Sequence, residues 1–490
     1  MTGWPDRPVI YEVDTWPWLE DLGRRLGAPV TLADVPPEVW DALAPPGTDA
    51  VWLMGVWERS PAGLDIALRN PGLRDAFRRA LPDLAPGDVV GSPYCVRRYV
   101  VDGRLGGPAG LAAARHELAR CGLHLVLDYV PNHVAPDHPA VTGHPEWFVS
   151  GDADDLARDP AGWIAVGGHV IARGRDPFFP PWPDVVQLNA FRPELRQATV
   201  DTLADILDQC DGVRCDMAML VTNDVFGKTW GAYVGDAPAE EFWPTVVAAV
   251  RGRHPDAVLI AEAYWDLEWT LQQQGFQFCY DKRLYDRLAH EDAAAVRGHL
   301  GAGPDYQRKL IRFIENHDEP RAATALPGGR DRAAAVAVAT LPGATLWHEG
   351  QFEGRRTHLP VFLGRRPDEP ADDDLRGFYH RLVPAAVAVR RGDWTLLDVD
   401  GWPDNPTHRD VLAWAWHDAV PRHVVAVNLA AHRSQGRVAL PWTAVRGRRW
   451  RLTDLLDGAV YDRDGDDLAS AGLFVDLAPW AAHVLAVAPI

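Results

Sequence analysis

A (β/α)8 TIM barrel is the fold class this sequence predicts, with a short inserted subdomain and a C-terminal antiparallel β-sandwich. Two observations predict the barrel. Short apolar, strand-like runs recur eight times before about residue 350, and helix-patterned segments lie between many of them. Four of those runs end in ionisable side chains, as strands do at the C-terminal face of a parallel barrel. A doubly wound open sheet is the alternative. It more often carries a glycine-rich phosphate loop after its first strand, and YEVDTWPWLED has none.

The eight runs are VIYEVDTW, AVWLMGVW (50–57), LHLVLDYV (123–130), CDGVRCDMAML (210–220), AVLIAEAYW (257–265), FQFCYDKRLY (276–285), RFIENHD (312–318) and GATLWHEG (343–350). Helical patterns such as PELRQATVDTLADILDQC and EEFWPTVVAAVRGRHP stop at or near the next run, as βα units require. The gap from Pro131 to Asp211 is longer than one loop plus one helix and holds the Pro- and aromatic-rich stretch DPFFPPWPD. It reads as a subdomain inserted over the barrel mouth. After Arg391 the texture turns to short alternating strands such as HVVAVNLA and GRVALPW, separated by turn residues, which reads as a β-sandwich. The expected division is therefore a barrel over 1–130 and 191–390, an inserted subdomain over 131–190 and a sandwich over 391–490.

A chain of 490 residues suits a large barrel with smaller appended units. Its net charge of −19 argues against nucleic acid or an anionic membrane as partner, because both need a basic face. The five cysteines are odd in number and include no C-x-x-C pair, so reduced thiols and a cytoplasmic setting are expected. The start of the chain shows no basic stretch leading into an apolar one, and no apolar run reaches the length of a membrane span. The 21 tryptophans are expected mainly in cores and interfaces, with a minority free to stack on a ligand.

The candidate chemistry lies at the run ends. The third run presents Asp128, Asn132 and His133, the fourth Arg214 and Asp216, the fifth Glu262, and the seventh His317 and Asp318. Any one acid alone is more often a helix cap or a loop anchor. Four acids at the same end of four strands converge on one mouth, where like charges repel and cost stability unless they do chemistry. Paired carboxylates flanking a glycosidic bond are one such chemistry.

These segments resemble, in order, the four signature regions of the α-amylase superfamily, glycoside hydrolase family 13: LDYVPNH, GVRCDMA, AEAYW and FIENHDEP. GSPY (91–94) resembles the loop whose tyrosine, here Tyr94, stacks on the sugar in subsite −1. DVVQLN (184–189) resembles a fifth region near the end of the inserted subdomain. The resemblance implies Asp216 as nucleophile, Glu262 as acid/base and Asp318 as the third essential carboxylate. Arg214, two residues before Asp216 and so on the same strand face, would keep that acid ionised. His133 and His317 would donate to sugar hydroxyls, and Asp128 would hold Arg214 or the strand ends. The two catalytic carboxyls are expected roughly 5–5.5 Å apart, the spacing of a retaining enzyme.

The chain also departs from the family pattern. Met219 and Leu220 stand where many α-amylases carry a Lys-His pair, which points away from polymer cleavage and toward short oligosaccharides. Arg97 and Arg98 stand where relatives often carry an acid, and read as a salt-bridged surface pair or as contacts for an anionic group. Trp265, Trp269 and Tyr280 either shape the acceptor side or pack the barrel wall. The resemblance implies a calcium site with Asn132 as a candidate ligand and Asp137 nearby, while the expected reaction requires no cofactor. The expected activity is retaining hydrolysis of α-glucosidic bonds in short oligosaccharides. The alternatives are a transglycosylase or isomerase using the same intermediate, and a non-catalytic carbohydrate-binding barrel. The expected partner is an α-linked oligosaccharide or glucoside; the oligomeric state stays open.

Overall fold

A computed structural model describes residues 3–417 and 421–490. Eight parallel strands close into a barrel: β1 (Val9–Asp14), β2 (Ala50–Met54), β3 (His124–Tyr129), β4 (Gly212–Cys215), β5 (Val258–Ala261), β6 (Phe278–Tyr280), β7 (Leu310–Arg312) and β8 (Ala344–His348). Each pairs with its sequence neighbours, and β8 closes on β1 with Val9 opposite Thr345. Seven of the eight strands fall within the predicted runs and β7 meets its run only at Arg312, because apolar stretches bounded by helices bury on both faces in a parallel sheet.

Alternation along the strands divides the apolar residues between two cores. Ile10, Trp52, Val126, Ile260, Phe278, Ile311 and Leu346 fill the barrel interior. Their neighbours Val9, Tyr11, Val51, Leu125 and Leu259 pack outward with the helices. The helix Pro193–Leu207 shows how that outer layer is written. Leu195, Thr199, Val200, Leu203, Ile206 and Leu207 are buried at helical spacing, and Pro193 stands in its first turn.

Between β3 and that helix, the chain makes a two-stranded ribbon (His133–Val134 with Val186–Gln187) and a three-stranded sheet (Ser150–Gly151, Trp163–Val166, His169–Ala172). A second excursion was not anticipated. After β2, Trp57–Arg59 pairs antiparallel with Val96–Val101, enclosing the helices Pro61–Arg69 and Pro71–Ala80. The seventh run is also shorter than expected: β7 stops at Arg312, and 313–318 leave the sheet as an irregular loop.

The C-terminal region is a sandwich of a six-stranded and a three-stranded antiparallel sheet. The strand Val411–His417 serves two cores at once. Val411, Ala413 and Ala415 face the small sheet, whereas Leu412, Trp414 and Trp416 join the main core. Trp416 anchors the interface: its indole N–H donates to Thr340 O at 2.7 Å, and the Arg7 guanidinium lies over its ring at 4.8 Å. Trp416→Ala is expected to cost about 3–5 kcal/mol, the usual range for a fully buried aromatic, read as a lower urea midpoint. An unchanged midpoint would show that the sandwich does not brace the barrel.

Candidate active site

Arg214, on β4, is the centre of the site. Its side chain is 1 % exposed. One terminal nitrogen, Nη1, donates to Asp216 Oδ1 at 2.8 Å, and the other, Nη2, donates to Glu262 Oε2 at 2.8 Å. Asp128 Oδ1 lies 3.6 Å from Nη1 and Asp318 Oδ2 lies 3.8 Å from Nη2. Four carboxylates from four barrel segments thus surround one guanidinium. The rings of Trp52, Tyr94 and Tyr280 face the same cation at 5.1–5.7 Å.

The backbone sets this geometry. Asp216 and Glu262 each sit one residue past their strand, with Asp216 N–H donating to Tyr129 O and Glu262 N–H to Cys215 O. Met217 then turns into the left-handed region at φ 42°, a conformation that costs a non-glycine residue about 1–3 kcal/mol. The turn aims Met217 N–H at Glu262 Oε2, 2.6 Å away, and Tyr264 Oη donates to Glu262 Oε1 at 2.7 Å. Trp265 and Asp266 are left-handed as well, and Arg283 holds Asp266 through two bonds of 2.7 and 2.6 Å. Asp318 stands in the loop beyond β7, where Asn316 Oδ1 accepts from the backbone N–H groups of Asp318 and Glu319. Its side chain is 40 % exposed, against 8 % for Asp216 and 3 % for Glu262.

Asp216, Glu262 and Asp318 line one cavity of about 320 Å³ with Tyr94, His133, Trp182, Asp184, Tyr264 and Phe362. Among the described residues no Lys or Arg lines it. Larger clefts exist on the outer flank, but the one beside Tyr11 and Trp18 holds arginines already paired with acids, such as Arg366 with Glu349 and Asp21.

The electrostatics follow from burial and proximity. Burial, and then the charge on Glu262, push the Asp216 carboxyl up to about 8 against the pull of Arg214. The two acids therefore form a dyad whose doubly ionised state is penalised, so one proton belongs to the pair at neutral pH. Asp318 behaves in the opposite way. Its carboxyl is drawn down to about 2, chiefly by the adjacent His317, which overcomes the cost of burial. His133 is held neutral by burial, its imidazole lowered to about 3.

The remaining expectations separate residue by residue. Asp128 accepts from Trp52 Nε1 and Gly55 N–H while facing Arg214, so it is part of the frame below the cavity. Tyr94 Oη lies 2.6 Å from His317 Nε2. Arg97 and Arg98 both bond Glu58, away from the cavity. Tyr280 is buried in the barrel interior, Trp269 is exposed, and Trp265 meets Phe178 of the inserted subdomain edge to face at 4.8 Å. The calcium reading of Asn132 does not fit. Its Oδ1 accepts from Gln187 Nε2 at 2.9 Å, and the nearby Asp137 is taken by Ser60 and Arg97. A hard cation needs about six oxygens, and these are already occupied by N–H and O–H donors. Sequence reasoning also passed over Glu12. The signal for Glu12 was a charged residue inside the apolar run VIYEVD.

No family model matches the chain. An α-amylase, MalA, from Haloarcula japonica is 26 % identical over 482 residues, covering 94 % of this chain and 60 % of that protein. An α-1,4-glucan:maltose-1-phosphate maltosyltransferase from Streptomyces coelicolor is 27 % identical over 416 residues, covering 77 % of this chain and 54 % of its own length. The chain thus spans less than two thirds of these curated relatives. An α-amylase from Geobacillus thermoleovorans, solved with acarbose, superposes with a TM-score of 0.68 at 18 % identity, covering 100 % of this chain and 99 % of that one. The fold is that of the α-amylases, and the curated relatives include an α-amylase and an α-glucan maltosyltransferase.

The dyad yields a stability test. The folded Asp216–Glu262 pair keeps a proton that the unfolded chain loses near the ordinary carboxylate value of about 3.9. Stability from this pair therefore falls as pH rises from about 4 to about 8. Asp216→Asn is expected to raise Tm near pH 8 and to leave it unchanged near pH 4. Equal shifts at both pH values would show that no proton is held there.

Proposed function

We propose that this protein is a retaining α-glucoside-acting enzyme that cleaves α-glucosidic bonds of short oligosaccharides through a covalent glycosyl-enzyme. One observation carries the reading: a single buried guanidinium bonds Asp216 and Glu262 at once, so the two acids flank one site with Asp318 beside them. Adjacent nitrogens of one planar group keep these carboxyls close, which supports a nucleophile and an acid/base rather than two acids separated by a water.

The chemistry follows from the positions. Glu262 gives the dyad proton to the leaving oxygen as Asp216 Oδ attacks the anomeric carbon, so that the glycosidic C–O bond breaks while the ester bond forms. Glu262, now ionised, takes a proton from water or from an acceptor hydroxyl, which attacks the same carbon and frees Asp216. Asp318, kept ionised, accepts from sugar hydroxyls as the ring flattens toward the oxocarbenium-like state. Tyr94 and Trp182 offer aromatic faces to the sugar, and His133 and His317 offer N–H donors. No metal enters these steps.

The charge of the cavity supports a neutral leaving group. Asp184, Asp216, Glu262 and Asp318 line it, with the Arg214 cation bonded to two of them and close to a third, so a neutral sugar meets a cavity whose acids are already compensated. Water and a sugar hydroxyl fit equally at Glu262, so transglycosylation is the second reading. The five free cysteines support a reducing, cytoplasmic setting. No helix among the described residues is long and apolar enough to cross a membrane.

With maltotriose, glucose and maltose are expected if water is the acceptor, and longer or isomerised glycans if a sugar is. Asp216→Asn is expected to lower kcat at least about 100-fold on every substrate. Glu262→Gln should spare aryl α-glucosides whose acidic leaving group needs no proton. Wild-type rates in Asp216→Asn on an aryl α-glucoside would leave no case for this chemistry.

A further inference from the structure

Glu12 lies in the middle of β1 and is fully buried. Ile10, two residues earlier, points into the barrel interior, and Glu12 shares that face beneath the cavity. Its Oε1 bonds His317 Nδ1, while among the described residues Oε2 has no hydrogen-bond partner. A buried carboxylate with one oxygen left without a hydrogen bond is costly to desolvate and needs a partner such as this imidazole. The residue it touches belongs to the site. On the other edge of the same imidazole, Nε2 faces Tyr94 Oη at 2.6 Å and Asp318 Oδ2 at 3.0 Å.

We infer that Glu12 is a positioning residue that clamps His317 from below, so that the imidazole stays a cation with Nε2–H aimed at Asp318 and the sugar hydroxyls. The inference rests on the proposed glycosidic reading for its purpose, though not for its geometry. An imidazole between two carboxylates keeps its proton, and its pKa is raised well above the ordinary range by Asp318 and Glu12 against the cost of burial. The same cation is the main influence lowering Asp318. Glu12 thus acts on the third carboxylate through one ring, with Nδ1 fixed from below and Nε2 free to serve the site.

The groups around His317 leave Glu12 as the acid that holds Nδ1. Asp318 and Tyr94 face Nε2, and Trp52 meets the ring edge-on at 5.4 Å. Asp14 and Arg59 line the small hole beside it, and His358 Nε2 bonds only its backbone oxygen at 3.0 Å. Asp128 is occupied with Trp52, Gly55 and Arg214.

The test is Glu12→Gln, with three readouts. Histidine NMR titration of the free protein is expected to show His317 charged through neutral pH in the wild type and deprotonating at clearly lower pH in the variant. On an aryl α-glucoside, kcat/KM near pH 7 is expected to fall roughly 10- to 100-fold. The pH profile should shrink on its alkaline side, because His317 loses its proton at lower pH. A neutral His317 in the wild type at pH 7 overturns the inference and needs no variant to fold. So does an unmoved His317 titration in Glu12→Gln, or an activity loss that is uniform with pH and tracks a fall in Tm. A wild type inactive on glucosides defeats the glycosidic reading alone, since the titration still decides the role of Glu12.

Discussion

Arg214 is the interaction on which the site depends. Asp128, Asp216, Glu262 and Asp318 approach one mouth from four barrel segments, and such a gathering of like charges is unfavourable without compensation. The guanidinium supplies it in a form lysine could not, because a planar fork has separate nitrogens for separate carboxylates. Asp216 and Glu262 are bound to different nitrogens of the same group, so their spacing is a property of one side chain. The cation is buried and backed by aromatic faces, which prevents water from screening it.

The fold places that arginine by register. Arg214 lies opposite Asp128 on β3 and Ile260 on β5, so both neighbouring strands deliver their acids at the height of the guanidinium. The strained turn at Met217 closes the gap between Asp216 and Glu262 by lending a backbone N–H. Below this layer, the interior changes from apolar to charged at Glu12, where the barrel gives up packing to hold His317. Two opposite electrostatic regimes then stand within one cavity: a dyad that retains a proton and an Asp318 that does not.

Much of this was legible in the residues. The eight strands were marked by apolar runs of strand length, and the acids by their place at the run ends. Asp318 was found for a partly mistaken reason. β7 ends at Arg312, and the acid is presented by a loop turned by Asn316, which a run of apolar and polar residues cannot distinguish from a strand. The excursion after β2 was missed because its ribbon pairs residues about 40 apart, Glu58 with Arg98, and its helices resemble ordinary crossover helices. Asn132 was a candidate calcium ligand because the family resemblance implies one at that asparagine. Only the fold shows that the Gln187 amide already uses its oxygen. Glu12 was visible as a charge in an apolar strand, yet its partner lies 305 residues away and no local pattern joins them.

The most direct measurement is to trap the intermediate. A 5-fluoro α-glucosyl fluoride should react with the protein and leave a single glycosyl group, located by peptide mass spectrometry on Asp216. The label is expected to be lost in Asp216→Asn and retained in Asp318→Asn. No covalent label, or a label on Glu262 or Asp318, would contradict the account of how Arg214 divides the work between the acids it holds.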